Sequence, residues 1–396
     1  MPRPAPAALV GVALVALALA GCVSNSAPGS ATAGAIAVTS TADACTLSTT
    51  TAPSGTLTFS VSNAGSDVTE FYLLAADGLQ VISEVENVGP GISRDLVVQA
   101  RPGSYIASCK PGMVGDGIRH GFTVTDSGVT VGPTGDTADQ LAAAEVSYVS
   151  YVKDQVGALV TATRDFAAAV TAGDDEKARA LYPSARAHYE RVEPVAESFG
   201  DLDPLLDARE ADLTAGQTWS GWHLLEKDLW PPAAQANGSV AYTPLTAAAR
   251  TAAADDLVAN TQKLADTVNN PSFTFQAFQI TNGAKSLLDE VATGKVTGEE
   301  ETWSHTDLWD FQANVDGARI AYQVVADVVR AENPSLATEL DQRFDEIDTL
   351  LATYGSIDKG FVLYDTLTAD QVKQLAAAVD ALSEPLSQLT TTITGA

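Results

Sequence analysis

The residues able to do chemistry fall into two groups. In the first, Cys109-Lys110-Pro111-Gly112-Met113 sets a thiol and a thioether on one tight turn, with Cys45 as a second thiol upstream. In a β-sandwich, a copper-binding loop would sit on such a turn. A blue-copper centre needs two histidines, a cysteine and usually an axial methionine. His120 is the one nearby imidazole, so a complete electron-transfer site is not expected. Cys45, Glu70 and Asp116 are candidate further ligands. A Cys45–Cys109 disulfide, with Met113 as core filler, is the alternative for an exported protein. Both readings stay open at the level of the residues. Glu84 and Glu86 lie two apart, hence on one side of a strand. With Glu70 and Asp116 they could give an oxygen-rich site for a hard cation, or simply a solvated acidic face.

The second group is Gly221-Trp222-His223-Leu224-Leu225-Glu226, which contains His-x-x-Glu. On a helix, positions i and i+3 share a face. His223 and Glu226 can therefore hold one metal ion, as Glu-x-x-His pairs do in carboxylate bundles. The bland alternative is a core histidine paired with Glu226. Glu190 and Glu193, also three apart, offer two more carboxylates from another helix. The chain lacks His-Glu-x-x-His and His-x-x-Glu-His, so neither familiar zinc-protease helix is present. It also lacks a Gly-x-Ser-x-Gly elbow, a P-loop and a dinucleotide glycine fingerprint.

These residues need elements to position them. Residues 1–21 read as a leader, with Arg3 followed by a short apolar run that ends at Leu19-Ala20-Gly21-Cys22. The run is too short to cross a bilayer, which takes about 20 apolar residues, and it fits a secretory h-region. The small residues before Cys22 resemble a bacterial lipobox, which implies cleavage there and acyl chains on Cys22 as the anchor; an ordinary signal peptide with a chance cysteine is the alternative. Residues 22–35 are rich in Ser, Ala and Gly, which reads as a flexible tether. Over 36–126, short alternating runs such as Thr56–Val61 are separated by turn signals such as Gly89-Pro90-Gly91, which predicts an all-β sandwich. A linker over 127–137 leads to Ala-rich, periodic sequence over 138–396 that predicts an all-α bundle. Its later helices are expected at 174–199, 217–230, 244–268, 273–293, 305–331, 335–354 and 368–392.

Composition narrows the functions. The chain of 396 residues carries 22 basic and 50 acidic side chains, a net charge of −28. Non-specific nucleic-acid binding needs a basic surface and is excluded, as is a polybasic membrane patch. Loss of Arg3 with the leader gives 21 − 50 = −29. Such an excess attracts cations. With 45% hydrophobic residues, the chain has enough apolar sequence for cores.

Taken together, the segments resemble the EfeO-type iron uptake lipoproteins. The resemblance rests on Thr69–Tyr72, Glu84–Gly91 and Cys109–Gly117 in the β region. In the helical region it rests on Tyr182–Arg186, Glu190–Pro194, Gly221–Trp230, Ser304–Trp309 and Leu382–Leu386. It implies a multidomain fold, a cupredoxin-like sandwich followed by an imelysin-like, metallopeptidase-related bundle. It also implies metal at Cys45, Cys109 and Met113, and at His223 and Glu226. The cargo would be iron, with copper or zinc as alternatives. The implied partners are a membrane iron permease and a haem-dependent peroxidase. The leading expectation is a metal-binding delivery protein, lipid-anchored to the outer face of the cell membrane. The other readings are a metal-dependent peptidase and a polymer- or solute-binding surface lipoprotein.

Overall fold

The computed structural model describes residues 34–395 except 77, 79–80, 113–116, 129–130, 201 and 214–216. The leader, Cys22, Met113 and Asp116 lie outside the described residues, as does the side chain of Glu86.

The N-terminal domain is a sandwich of two sheets. One has the order β2 (Cys45–Leu47), β1 (Ile36–Ser40), β4 (Gly55–Asn63), β7 (Ser93–Ala100). The other runs β3 (Thr51–Pro53), β9 (Ile118–Thr125), β8 (Gly103–Pro111), β5 (Thr69–Ala75), β6 (Val81–Val88). The β1–β4 and β3–β9 pairs are parallel, so both sheets are mixed. The predicted alternation is seen in β4, where Leu57, Phe59 and Val61 are buried and their neighbours are not. Phe59 meets Phe71 and Phe122 of the facing sheet, each with ring centroids 5.3 Å apart.

Cys45 on β2 is bonded to Cys109 on β8, so the bridge staples the two sheets across the core. This corrects the expectation that both cysteines are metal ligands. A bridged sulfur carries no thiolate, which is the form that binds metal.

The rest of the chain is helical. The long α1 (Asp136–Ala172) packs against α2 (Asp175–Glu190) and α5 (Ala247–Val268). Between them lie a 3₁₀ segment (Glu193–Phe199), α3 (Leu202–Asp207) and α4 (Trp222–Leu229). Then follow α6 (Ala277–Thr293), α7 (Asp307–Gln323), α8 (Ala326–Glu332) and α9 (Pro334–Leu351). A small hairpin, β10 (Gly355–Ser356) and β11 (Gly360–Phe361), precedes α10 (Ala369–Leu386) and α11 (Leu389–Thr394).

The expected helices exist, but three break where one was expected. The 174–199 stretch stops being α-helical at Glu190, because Pro194 cannot donate to the carbonyl four residues back and its ring clashes there, and the chain goes on as a 3₁₀ segment from Glu193 to Phe199. The 305–331 stretch divides at Val324-Val325. The 368–392 stretch divides at Ser387-Gln388, shortly after Pro385.

The two domains touch along one edge. Strand β6, at the edge of its sheet, lies beside α6. Phe278 packs against the sandwich core, and Asn282 Nδ2 reaches the Ile82 carbonyl at 3.4 Å. Ser286 Oγ donates to Glu84 Oε1 at 3.4 Å.

The bridge closes a sequence separation of 64 residues. Reduction, or Cys45→Ala with Cys109→Ala, is expected to cost the sandwich about 2–5 kcal/mol. Denaturant unfolding with and without reductant checks this, with the β signal of the sandwich lost before the helical signal.

Candidate metal centre

His223 sits on the first turn of α4, and a glycine sets the position of that turn. Gly221 has φ 89°, and a Cβ there would come within 2.2 Å of the Leu206 carbonyl oxygen. Only glycine allows this backbone and this approach. The contact presses the start of α4 onto α3, which brings His223 to Asp207. Indole and ammonium hold the third wall. Lys227 of α4 packs its Nζ 4.7 Å from the Trp303 ring centroid, so the 299–304 turn lies along the helix. Glu226 Oε1 accepts hydrogen bonds from the Trp303 and Ser304 amides at 2.8 and 2.7 Å.

The His-x-x-Glu pair forms as expected, with His223 Nδ1 3.2 Å from Glu226 Oε2. The other ring nitrogen is the unusual one. Nε2 is buried without a hydrogen-bond partner, 3.6 Å from Asp207 Oδ1 and 3.7 Å from Glu300 Oε1. Two groupings of metal-capable side chains stand out among the described residues. They are Asp207, His223 and Glu300, and His223, Glu226 and Glu301. The first is the better cation site. Glu226 already uses one oxygen on backbone amides and orients His223 with the other, as carboxylates behind metal-binding histidines do. The orphaned Nε2 between two carboxylates is a donor set suited to iron or zinc.

Arg186 lies at the back of this site, fully buried. Its guanidinium pairs with Glu190 and Asp207, reaches Glu301 at 2.6 Å and Glu300 at 3.2 Å, and lies 3.5 Å from Asp310. Asp310 has both oxygens buried without a hydrogen-bond partner. Carboxyl groups outnumber cations: Glu190, Glu193, Asp207, Glu226, Glu300, Glu301 and Asp310 face Arg186, Lys295 and His223, and burial raises Glu193 well above the carboxylate range. The ionisations show it. Burial pushes Asp207 up to about 7 against the pull of Arg186. Burial raises Glu301 and Asp310 well above the carboxylate range, with the Glu226 charge adding to it at Glu301. Burial opposes the charge on Glu300 too, but Lys295 and His223 hold that carboxyl well below the usual range. Burial and Arg186 press His223 down, yet Glu226, Glu300 and Asp207 carry it up to about 9. These shifts favour protons on the carboxyls and the imidazole of the centre.

Glu190 and Glu193 do not share one helix face as expected, because the chain breaks between them. They still converge. Lys295 Nζ lies 3.0 Å from Glu190 Oε2 and 2.7 Å from both oxygens of Glu193, and Asn314 Nδ2 bridges the two carboxylates. They join the His223 centre through Arg186 and Lys295, which stand between them and the imidazole's own partners. A close backbone approach holds the turn that carries Glu193. A Cβ at Gly283 on α6 would meet the Pro194 carbonyl oxygen at 1.7 Å.

A cavity of 580 Å³ opens onto the centre, lined by Asp203, Asp207, Arg209, Glu193, Glu290 and Glu300 on the helical side and by Ser83 and Glu84 on the sandwich side. The β domain therefore contributes a wall of the helical site through Glu84. Glu70 is buried and accepts from Tyr72 Oη at 2.8 Å. Tyr72 pairs with Glu84 across β5 and β6, so the three side chains share one sheet face. His120 is exposed on β9.

Sequence reasoning missed Asp207, Glu300, Glu301, Arg186, Lys295 and Asp310. The run Glu299-Glu300-Glu301 just before Trp303 was a visible signal, three acids beside an aromatic anchor. Asp207 carried none, since its approach depends on Gly221.

Arg186→Met leaves Asp207, Glu190, Glu301 and Asp310 without their counter-charge, at an expected cost of about 3–5 kcal/mol near neutral pH. Carboxyls with raised folded pKa favour the protonated form, so stability falls as pH rises through those values. Urea unfolding at pH 5 and pH 8 should show the variant losing more at pH 8.

Residues 144–389 match the imelysin family, peptidase family M75, and residues 11–123 match the cupredoxin-like domain family. The chain is 35% identical over 361 residues to the iron uptake system component EfeO of Escherichia coli O157:H7, covering 89% of this chain and 90% of that protein. The proteins of the same name from Escherichia coli K12 and Shigella flexneri match with the same identity and coverage. No helix among the described residues is long and apolar enough to cross a membrane. With its sandwich, its helical bundle and this likeness over nearly the whole length, the chain belongs to the EfeO family of iron uptake system components.

Proposed function

We propose that this protein captures iron outside the membrane at the His223 centre and delivers it to a membrane iron permease. The observation that carries the reading is the buried, unpartnered Nε2 of His223 between Asp207 and Glu300. In this reading His223, Asp207 and Glu300 hold the ion, Glu226 orients the imidazole, Glu190 supplies further negative charge, and the carboxyls of Glu193 and Glu301, which burial holds above the usual range, stand behind it. Kinship with iron uptake components supports iron as cargo. Residues 1–21 would be removed, and acyl chains on Cys22 with the 22–35 tether would keep the protein near the permease. A haem-dependent peroxidase is a further partner of the system in this reading. Zinc is the alternative ion at the helical centre. Copper remains an alternative for the sandwich only through Met113, Glu70, Glu84, Glu86 and Asp116, since the cysteines are bridged.

The match to a peptidase family favours a second reading, metal-dependent peptide hydrolysis. A hydrolase needs a metal-activated water and a general base. Glu226 is the carboxylate nearest the imidazole, but two amides and His223 engage it, which weakens this reading.

Anaerobic ferrous titration of the wild type against His223→Ala and Asp207→Asn decides the site. Each variant is expected to weaken binding by on the order of 100-fold, the scale of one lost charged ligand contact. Unchanged affinity in both would sink the helical site. Binding is also expected to release protons, since the carboxylate neighbours of His223 push it up to about 9 and burial pushes Asp207 up to about 7. Affinity should rise with pH from 6 to 9, by about one decade per unit above pH 7, where His223 is the one of the three ligands that still holds its proton. Proton release measured by pH-stat on metal addition checks the sign.

A further inference from the structure

Lys295 places an ammonium within a cage of carboxylates. Its Nζ lies 3.0 Å from Glu190 Oε2, 2.7 Å from each oxygen of Glu193 and 3.7 Å from Glu300 Oε1. The carboxylates come from three elements: the end of α2, the 3₁₀ segment and the 299–301 turn. The side chain is 3% exposed. Asn314 on α7 donates Nδ2 to the same two glutamates, while its Oδ1 is buried without a partner. Glu300 is the shared member, since its Oε1 lies 3.7 Å from both Lys295 Nζ and His223 Nε2.

We propose that Lys295 is a built-in competitor for the cargo cation and sets how readily the site lets go of it. This rests on the metal reading of the His223 centre. A metal ion drawn to Glu300 and Asp207 must share Glu300 with the ammonium, and two like charges at that distance in a buried site repel strongly. The ammonium is then displaced from Glu300 and from one or both of the other carboxylates. When the ion leaves, Nζ returns, and the emptied cage is not left with unpaired buried charge. Arg186 is poorly suited to this role, because its rigid fork is held by Glu190, Asp207 and Glu301 at once. A lysine on a flexible four-carbon stem can move and re-form its contacts. A carrier that must release its cargo needs such a returning counter-ion.

Two measurements on the full chain test this, both with ferrous ion alone under anaerobic conditions. Lys295→Met keeps an unbranched side chain one atom shorter and removes its charge. Its iron affinity is expected to rise on the order of tenfold or more, with a slower off-rate. Equal or weaker affinity, with the helical circular dichroism retained, overturns the proposal. The second measurement uses the wild type and so does not depend on how the variant folds. Amine acylation read by mass spectrometry should leave Lys295 protected without iron and label it at least several-fold faster at saturating iron. No increase at saturation overturns the proposal. If the wild type binds no iron in either assay, the metal reading itself has failed, which is a different result.

Discussion

The helical domain is organised around one buried guanidinium. Arg186 is fully enclosed and gathers carboxylates from α2, α3, the 299–301 turn and α7. A charge of this kind is stable only when paired, and each of its partners is equally committed, because a buried carboxylate without a cation is costly. The pairing therefore ties together segments far apart in the sequence. It also leaves a surplus. More carboxyl groups converge than Arg186 and Lys295 can neutralise, and the remainder is met by raised carboxyl pKa values and an imidazole pushed toward its protonated form. A centre that retains protons against neutral pH is one that a metal cation can enter by exchange.

Packing converts this charge surplus into a defined site. Gly221 lets α4 press against the end of α3, and Gly283 lets α6 press against the turn carrying Glu193. Neither approach has space for a Cβ. Glu226 then fixes the imidazole from behind while holding the 303–304 amides, so one carboxylate sets both His223 and the turn that delivers Glu300. The sandwich takes part through β6, whose Glu84 and Ser83 close the cavity on the far side. Its own cysteines serve stability, as a staple between two sheets.

Much of this was legible in the chain. The alternation over Thr56–Val61 and the Gly/Pro turns announced the sandwich, and the Ala-rich periodic sequence announced the bundle. His223 and Glu226 were readable because their partnership is local, set by helical spacing. Helix ends were less legible. The chain beyond Glu190 looked helical until Pro194 was given its full weight, and the Val324-Val325 break has no comparable marker. The two cysteines left both a disulfide and a metal site open, because spacing along the chain does not say whether two strands face each other across a core.

The sequence by itself determined the kinds of element, the acidic balance and the imidazole–carboxylate pair at the heart of the centre. These follow from periodicity, composition and contacts three residues apart. Only the tertiary structure decided which carboxylates join His223. Asp207 arrives through a glycine contact, and Glu300 through an indole packed on a lysine. Arg186 and Lys295 hold the remaining acids and share Glu190. Those choices depend on distances across elements that are remote in sequence, and charge alone does not rank one acidic residue above another until the fold has set how far each lies from its cation.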